Sequence, residues 1–161
     1  MHTIFVGVGE FAVSKDPEAI IRTMALGSCV AVVILDPVNK SVGLLHVALP
    51  DSSINSRRVL EKPGMFADTG IPLLIDSMMS LGNNGNRDLS VKLIGGASIM
   101  DPNITFNIGK RNVLAIRKVL WLNKLGAIAE DVGGFISRTV SIEVMTGKMV
   151  ISSPGRGRWE L

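Results

Sequence analysis

Two runs of β-branched and aliphatic residues, 29–35 and 42–49, are separated only by Asp36-Pro37-Val38-Asn39-Lys40, and this pair constrains the fold more than any other feature. Each run has strand length, and Asp at the first and Pro at the second position of the connector favour a type I turn. The two runs therefore read as a hairpin. If Asp36 and Asn39 close the turn, the numbers of paired residues sum to 75 and Cys29 faces His46 on one side of the sheet. A one-residue slip would send them to opposite faces. Cys29 is the single cysteine of the 161-residue chain and His46 is one of two histidines. A thiol and an imidazole that fold together are the materials of a nucleophile and its base. The competing reading is structural, because a free cysteine often packs as a small buried hydrophobe.

Around the hairpin the pattern is mixed. Residues 3–13 read as a strand whose Gly7 and Gly9 mark a bulge or a close backbone approach, followed by a turn at Lys15-Asp16-Pro17. The third glycine of a dinucleotide fingerprint is missing and no helical pattern follows. Residues 19–25 form a short strand leading into Gly27, and residues 50–58 a polar loop at the mouth of the hairpin. A helix is expected over 66–81, with Leu73, Leu74, Met78 and Leu81 at helical spacing, Gly82 as the stop, and Pro72 in a first turn or at a kink. Met65, Met78 and Met79 read as core filler.

Residues 82–86 read as a flexible loop, and 89–94 as a strand ending in Gly95-Gly96-Ala97-Ser98, small residues suited to close backbone approach. That tetrapeptide lacks the lysine and helix of a phosphate loop. A second helix is expected over 110–125, burying Val113, Ile116, Leu120 and Trp121, with a basic face including Lys124 and a stop at Gly126. A strand over 127–132 ends in Gly133-Gly134, and 139–145 with 148–152 form a hairpin across Thr146-Gly147. The tail 153–161 reads as loose. With no repeat or linker, residues 1–161 read as a single domain of α+β class: layered, with mixed β-sheets and two main helices packed on them.

Composition narrows the function. The net charge is only +3, tyrosine is absent and aromatics total 4%, which is not the basic, aromatic-laced surface of a nucleic-acid binder. No apolar run approaches the roughly 20 residues of a spanning helix, so no membrane insertion is expected. No secretory signal is visible, and one cysteine agrees with a reducing cytoplasm. No metal-ligand spacing occurs, and no cofactor or metal is expected.

Six blocks then carry a resemblance: Leu26-Gly27-Ser28-Cys29-Val30-Ala31-Val32, Gly43-Leu44-Leu45-His46-Val47-Ala48-Leu49-Pro50-Asp51-Ser52, Pro63-Gly64-Met65-Phe66-Ala67-Asp68-Thr69, Gly95-Gly96-Ala97-Ser98, Asn107-Ile108-Gly109-Lys110-Arg111-Asn112 and Glu130-Asp131-Val132-Gly133-Gly134. In this order and spacing, over residues 7–150, the chain resembles the bacterial chemoreceptor glutamine deamidases of the CheD family. The resemblance implies a catalytic Cys, His and Thr, falling on Cys29, His46 and Thr23. It further implies methyl-accepting chemotaxis receptors as substrates, through their helical cytoplasmic region, and a CheC-type phosphatase as partner. Ala25 stands where the family pattern has Gly, and Phe66 where it has Tyr.

From residue chemistry, His46 would take the Cys29 proton or pair with a thiolate already formed, and Thr23 would orient the other ring nitrogen. The backbone around Gly27, Ser28 and Cys29 would form the oxyanion hole. Lys110, Arg111 and the loop near Ser52 are contact candidates. A regulatory binding module without catalysis is the alternative; a redox-sensing thiol is disfavoured because no resolving cysteine exists.

Overall fold

The computed structural model describes residues 1–82, 88–99 and 107–161; positions 83–86 of the expected flexible loop lie outside them. Strands β1 (His2–Phe5), β2 (Phe11–Ser14), β3 (Ala19–Leu26), β4 (Val30–Asp36) and β5 (Ser41–Val47) come first. A short helix α1 (Ser56–Glu61) and the main helix α2 (Ala67–Ser80) follow, then β6 (Ser90–Gly95), helix α3 (Ile108–Leu122), β7 (Ala127–Val132), β8 (Arg138–Glu143), β9 (Met149–Ser153) and β10 (Gly157–Glu160). They build two five-stranded sheets, β1-β3-β8-β9-β10 and β2-β5-β4-β6-β7. Each is mixed, since β1–β3 and β6–β7 run parallel and the other pairs antiparallel. The expected α+β class holds, but both main helices cover the same sheet.

The alternation of β4 and β5 explains the layering. Val30, Val32, Ile34, Leu45 and Val47 point to the helices and meet Ile71, Leu74, Met78, Val113, Ile116 and Leu120. Ala31, Val33, Val42 and Leu44 point the other way, onto Ile21, Leu26, Val140, Ile142 and Ile151 of the first sheet. The order is therefore sheet, sheet, helices. With β4 central and covered on both faces, its near-continuous apolar run needs no polar side.

Several expectations are corrected. Residues 3–13 are two strands in different sheets, split at the turn around Gly7–Gly9, where Gly64 packs so closely that a Cβ on it would fall 2.3 Å from the Gly9 carbonyl oxygen. The polar loop 50–58 is partly helical: a 3₁₀ turn at Ser52–Ile54, then α1, capped by the Asn55 side chain accepting from Arg58 N–H. Pro72 sits in the second turn of α2, where the Asp68 carbonyl loses its helical donor. Only Met78 of the three methionines is core; Met79 is exposed and Met65 half-buried. Trp121 is 76% exposed, and the left-handed residue ending α3 is Lys124, not Gly126. The tail is not loose: it turns at Gly155 and returns as β10 beside β9, with Trp159 Nε1–H donating to Asp131 at 2.5 Å.

The hairpin forms with a different register. Asp36 pairs with Ser41 and Ala31 with His46, so paired numbers sum to 77. The loop holds four residues because Asp36 Oδ1 accepts from the amides of Val38 and Asn39, while Lys40 takes a left-handed φ of 51° to close it. A shift of two preserves the face. Extended by one pair, the register sets Cys29 against Ala48, diagonal to His46 on the same side.

Candidate active site

Inward-facing residues of β3 alternate as Ala19, Ile21 and Thr23, which is only 1% exposed. His46, 3% exposed, faces it from β5 across the space between the sheets. A two-against-one bulge follows: Thr23 pairs with Val140 and Leu26 with Arg138, leaving Met24 and Ala25 opposite Thr139. The bulge turns Leu26 back into the core, and the chain then leaves the first sheet and enters the second at Val30. Cys29 lies on that crossing, half-buried at the edge of the inter-sheet core. Strand parity thus brings Thr23, His46 and Cys29 to one side-chain layer.

Donor counting fixes the ring. Thr23 Oγ1 lies 2.7 Å from the Val6 carbonyl oxygen and 2.7 Å from His46 Nδ1. A carbonyl only accepts, so the single hydroxyl proton lies toward Val6. Thr23 must then accept from Nδ1–H, and the lone pair of the neutral imidazole is on Nε2. The backbone of His46 is held as well, donating to Glu10 O at 3.1 Å and accepting from Gly9 N–H at 2.9 Å.

Electrostatics makes this a neutral pair at rest. Burial lowers the His46 pKa to about 4, against a smaller raising influence from Glu10. Burial raises the Cys29 thiol above its ordinary value, opposed in part by its own backbone amide. Of the two starting states considered from the sequence, proton transfer from a neutral thiol to a neutral imidazole fits these shifts, and a resting thiolate–imidazolium pair does not.

The crossing segment is anchored through three successive carbonyls. Gly27 O accepts from Ala97 N–H at 2.8 Å, Ser28 O from Asn112 Nδ2 at 2.9 Å, and Cys29 O from Gly96 N–H at 2.8 Å. The Gly95–Ala97 strip can approach only because it is small: a Cβ on Gly95 would fall 2.3 Å from Cys29 O. Gly27 and Ser28 are half-buried, and among the described residues neither the Ser28 nor the Cys29 amide is used in a main-chain hydrogen bond.

The contact candidates separate. Lys110 lines a cavity of about 330 Å³ with Gly96, Ser98, Gly134 and Phe135, behind the strip that holds Cys29. Arg111 lines a different one, of about 460 Å³, with Asp51, Asp68 and Lys118. Ser52 is occupied, its hydroxyl donating to Asp68 at 2.5 Å. Asn112 was not singled out as a site residue, although a signal existed. It is the one polar side chain on the buried stripe of α3, among Gly109, Val113, Ile116 and Leu120.

Fold and geometry together define a class: an α+β domain of two stacked sheets with one thiol at the edge of the inter-sheet layer that holds a strand-borne His–Thr pair of determined tautomer. The chain belongs to the CheD family. The family model described as CheD chemotactic sensory transduction matches residues 48–153. A probable chemoreceptor glutamine deamidase CheD from Syntrophotalea carbinolica is 50% identical over 162 residues, covering 100% of both chains. A second, from Syntrophus aciditrophicus, is 45% identical over 96% of each chain. The chemoreceptor glutamine deamidase CheD of Thermotoga maritima is 41% identical, covering 94% of this chain and 92% of its own. The family-model match begins after His46, so Thr23, Cys29 and His46 fall only within the span of the long relatives. Among the described residues, no helix is long and apolar enough to cross a membrane.

Proposed function

We propose that this chain is a cysteine-dependent protein-glutamine deamidase acting on chemoreceptors, with Cys29 as nucleophile, His46 as general base and acid, and Thr23 as the orienter of His46. The observation that carries this reading is the Thr23 hydroxyl, committed to Val6 O and therefore accepting from Nδ1–H, which leaves Nε2 basic on the side-chain layer of the lone thiol. The names of the relatives supply the substrate class.

In the first half-reaction, His46 Nε2 takes the Cys29 proton as Sγ bonds to the carboxamide carbon of a receptor glutamine. Charge develops on the carboxamide oxygen, within reach of the Cys29 amide. The C–N bond breaks, ammonia leaves with the proton from His46, and a thioester remains. Water then loses a proton to His46 and attacks the thioester carbon. The C–S bond breaks, Sγ regains its proton, and glutamate is released. Burial that keeps His46 neutral suits a base that must accept a proton in both halves.

The receptor's helical cytoplasmic region is the proposed docking partner, with the cytoplasm as the working compartment. A CheC-type phosphatase is a further partner in this reading, testable by co-purification with the wild-type chain. The decisive assay incubates the chain with a receptor cytoplasmic fragment and follows mass: each converted glutamine gains about one dalton, since –NH₂ is replaced by –OH. Wild type gives the gain; Cys29→Ala folds and gives none. A full gain with Cys29→Ala removes the nucleophile assignment. Receptor binding by wild type without any gain replaces the enzyme reading with a binding module.

A further inference from the structure

We infer that Asn112 is a positioning residue that sets the Ser28–Cys29 peptide plane and thereby aims the Cys29 N–H at the reacting carbonyl oxygen. The inference rests on the deamidase reading and names a part of its machinery outside the Cys-His-Thr set.

Asn112 is fully buried, and both hydrogens of its side-chain amide are spent at the site: Nδ2 donates to Ser28 O at 2.9 Å and to Ala48 O at 3.1 Å. One contact is to the residue before Cys29, and the other to the second residue after His46. Because both neighbours are carbonyl oxygens, the flipped amide would set oxygen against oxygen, so the orientation is determined. Asn112 Oδ1, by contrast, is buried without a partner. A site selected only for packing would shed that orphaned acceptor; this one keeps it together with two directed donors.

Planarity converts the contact into an aim. In a trans peptide the C=O of one residue and the N–H of the next point in opposite directions, and no peptide bond among the described residues is cis. Drawing Ser28 O toward α3 therefore turns the Cys29 N–H away from α3. Among the described residues that N–H makes no main-chain hydrogen bond, which leaves it for the oxyanion that develops on the oxygen of the carbon bonded to Sγ. The flanking carbonyls are held by main-chain donors from Gly96 and Ala97. The middle peptide is held by a side chain.

Helix α3 can deliver that side chain because Gly109, one turn earlier on the same face, lets it touch the strip: a Cβ there would lie 2.5 Å from Gly96 O. Gly109 sets the approach, and Asn112 uses it.

The test compares wild type, Asn112→Leu and Asn112→Ser by two rates on the same thiol. One is receptor deamidation, read as kcat and KM by the one-dalton gain. The other is alkylation of Cys29 by iodoacetamide, in which an S–C bond forms as iodide leaves and no oxyanion arises. Loss of aim should lower kcat on the order of 10–100-fold, with KM and the alkylation rate each within about threefold of wild type. Asn112→Ser, which retains a donor, should fall between wild type and Asn112→Leu, and it is read in the same way if the Leu variant does not fold. Unchanged kcat in the folded variants overturns the inference, as does an equal fall in deamidation and alkylation, which would mean the thiol itself had moved. Absence of deamidation by wild type would instead overturn the deamidase reading.

Discussion

The base and the nucleophile of this site are built in opposite ways. Thr23 and His46 sit inside strands, almost wholly buried, Thr23 paired with Val140 and His46 paired with Ala31 and hydrogen-bonded through its backbone to Gly9 and Glu10. Cys29 sits on a half-buried crossing between sheets, held through its carbonyls by a glycine strip and one asparagine. The rigid half fixes a tautomer and keeps it dry. The tethered half keeps its thiol reachable and its amides available for chemistry. A site that must admit a side chain from another protein needs this asymmetry, because a nucleophile buried like His46 could not meet a carboxamide.

The buried half should reveal itself first through pH. His46 is held neutral down to about pH 4, while the unfolded imidazole titrates near 6.5. Between these values the unfolded state binds the extra proton, so stability rises with pH in that window. The contribution is complete above about 6.5 and is lost as pH falls through 4. Its size is about 3 kcal/mol, from 1.36 kcal/mol per pKa unit. Urea unfolding at pH 4 and pH 7 should show this loss in wild type and a much smaller one in His46→Gln. Identical pH slopes would place the acid sensitivity elsewhere and weaken the contrast between a dry base and a wet nucleophile.

Thr23→Val breaks the same half from the other side. The isostere removes one oxygen and leaves two groups without partners, Val6 O and His46 Nδ1–H. Stability should fall by about 2 kcal/mol, and kcat roughly tenfold as the Nε2-protonated tautomer becomes accessible. Chemical denaturation and the mass-gain assay measure the two effects separately. A Thr23→Val enzyme with full kcat would mean that backbone contacts alone orient His46.

The same contrast explains what the sequence disclosed. Strand content, the layered α+β class and the placement of Cys29 and His46 on one face of the hairpin were legible because they follow from period-two patterning and turn residues within a short window. The register was misjudged by two residues, with a pair sum of 77 in place of 75. Asp36 accepts from the amides of Val38 and Asn39 and opens the loop to four residues, a choice made by side-chain hydrogen bonding rather than by turn propensity. The error was harmless to the site because a shift of two in the pair sum keeps every side chain on its face. Trp121 was misplaced because helical spacing ranks it as apolar, while α3 already covers its sheet with Val113, Ile116 and Leu120. The tail was misread because β10 exists only through its partner β9 and the Trp159–Asp131 bond. Asn112 was passed over for the same physical reason: its two acceptors lie 84 and 64 residues away along the chain.

Ala25 joins the two halves, two residues after Thr23 and four before Cys29. It holds a φ of 56° in the bulge that returns Leu26 to the core, the left-handed region in which a Cβ meets the following carbonyl. Its amide is fixed by Thr139 Oγ1 at 3.1 Å, and its side chain is exposed, so the strain belongs to the backbone and touches neither the thiol nor the imidazole. Glycine relieves that strain but adds entropy to the unfolded chain, which offsets part of the gain. Ala25→Gly should therefore raise stability by about 0.5–1 kcal/mol, a rise in Tm of roughly 2–3 °C for a chain of this size. If the bulge serves only to steer the chain from one sheet to the other, kcat stays at the wild-type value. A changed kcat would mean that strain at residue 25 is transmitted to Thr23 or Cys29, and that the rigid and tethered halves are mechanically coupled through the bulge.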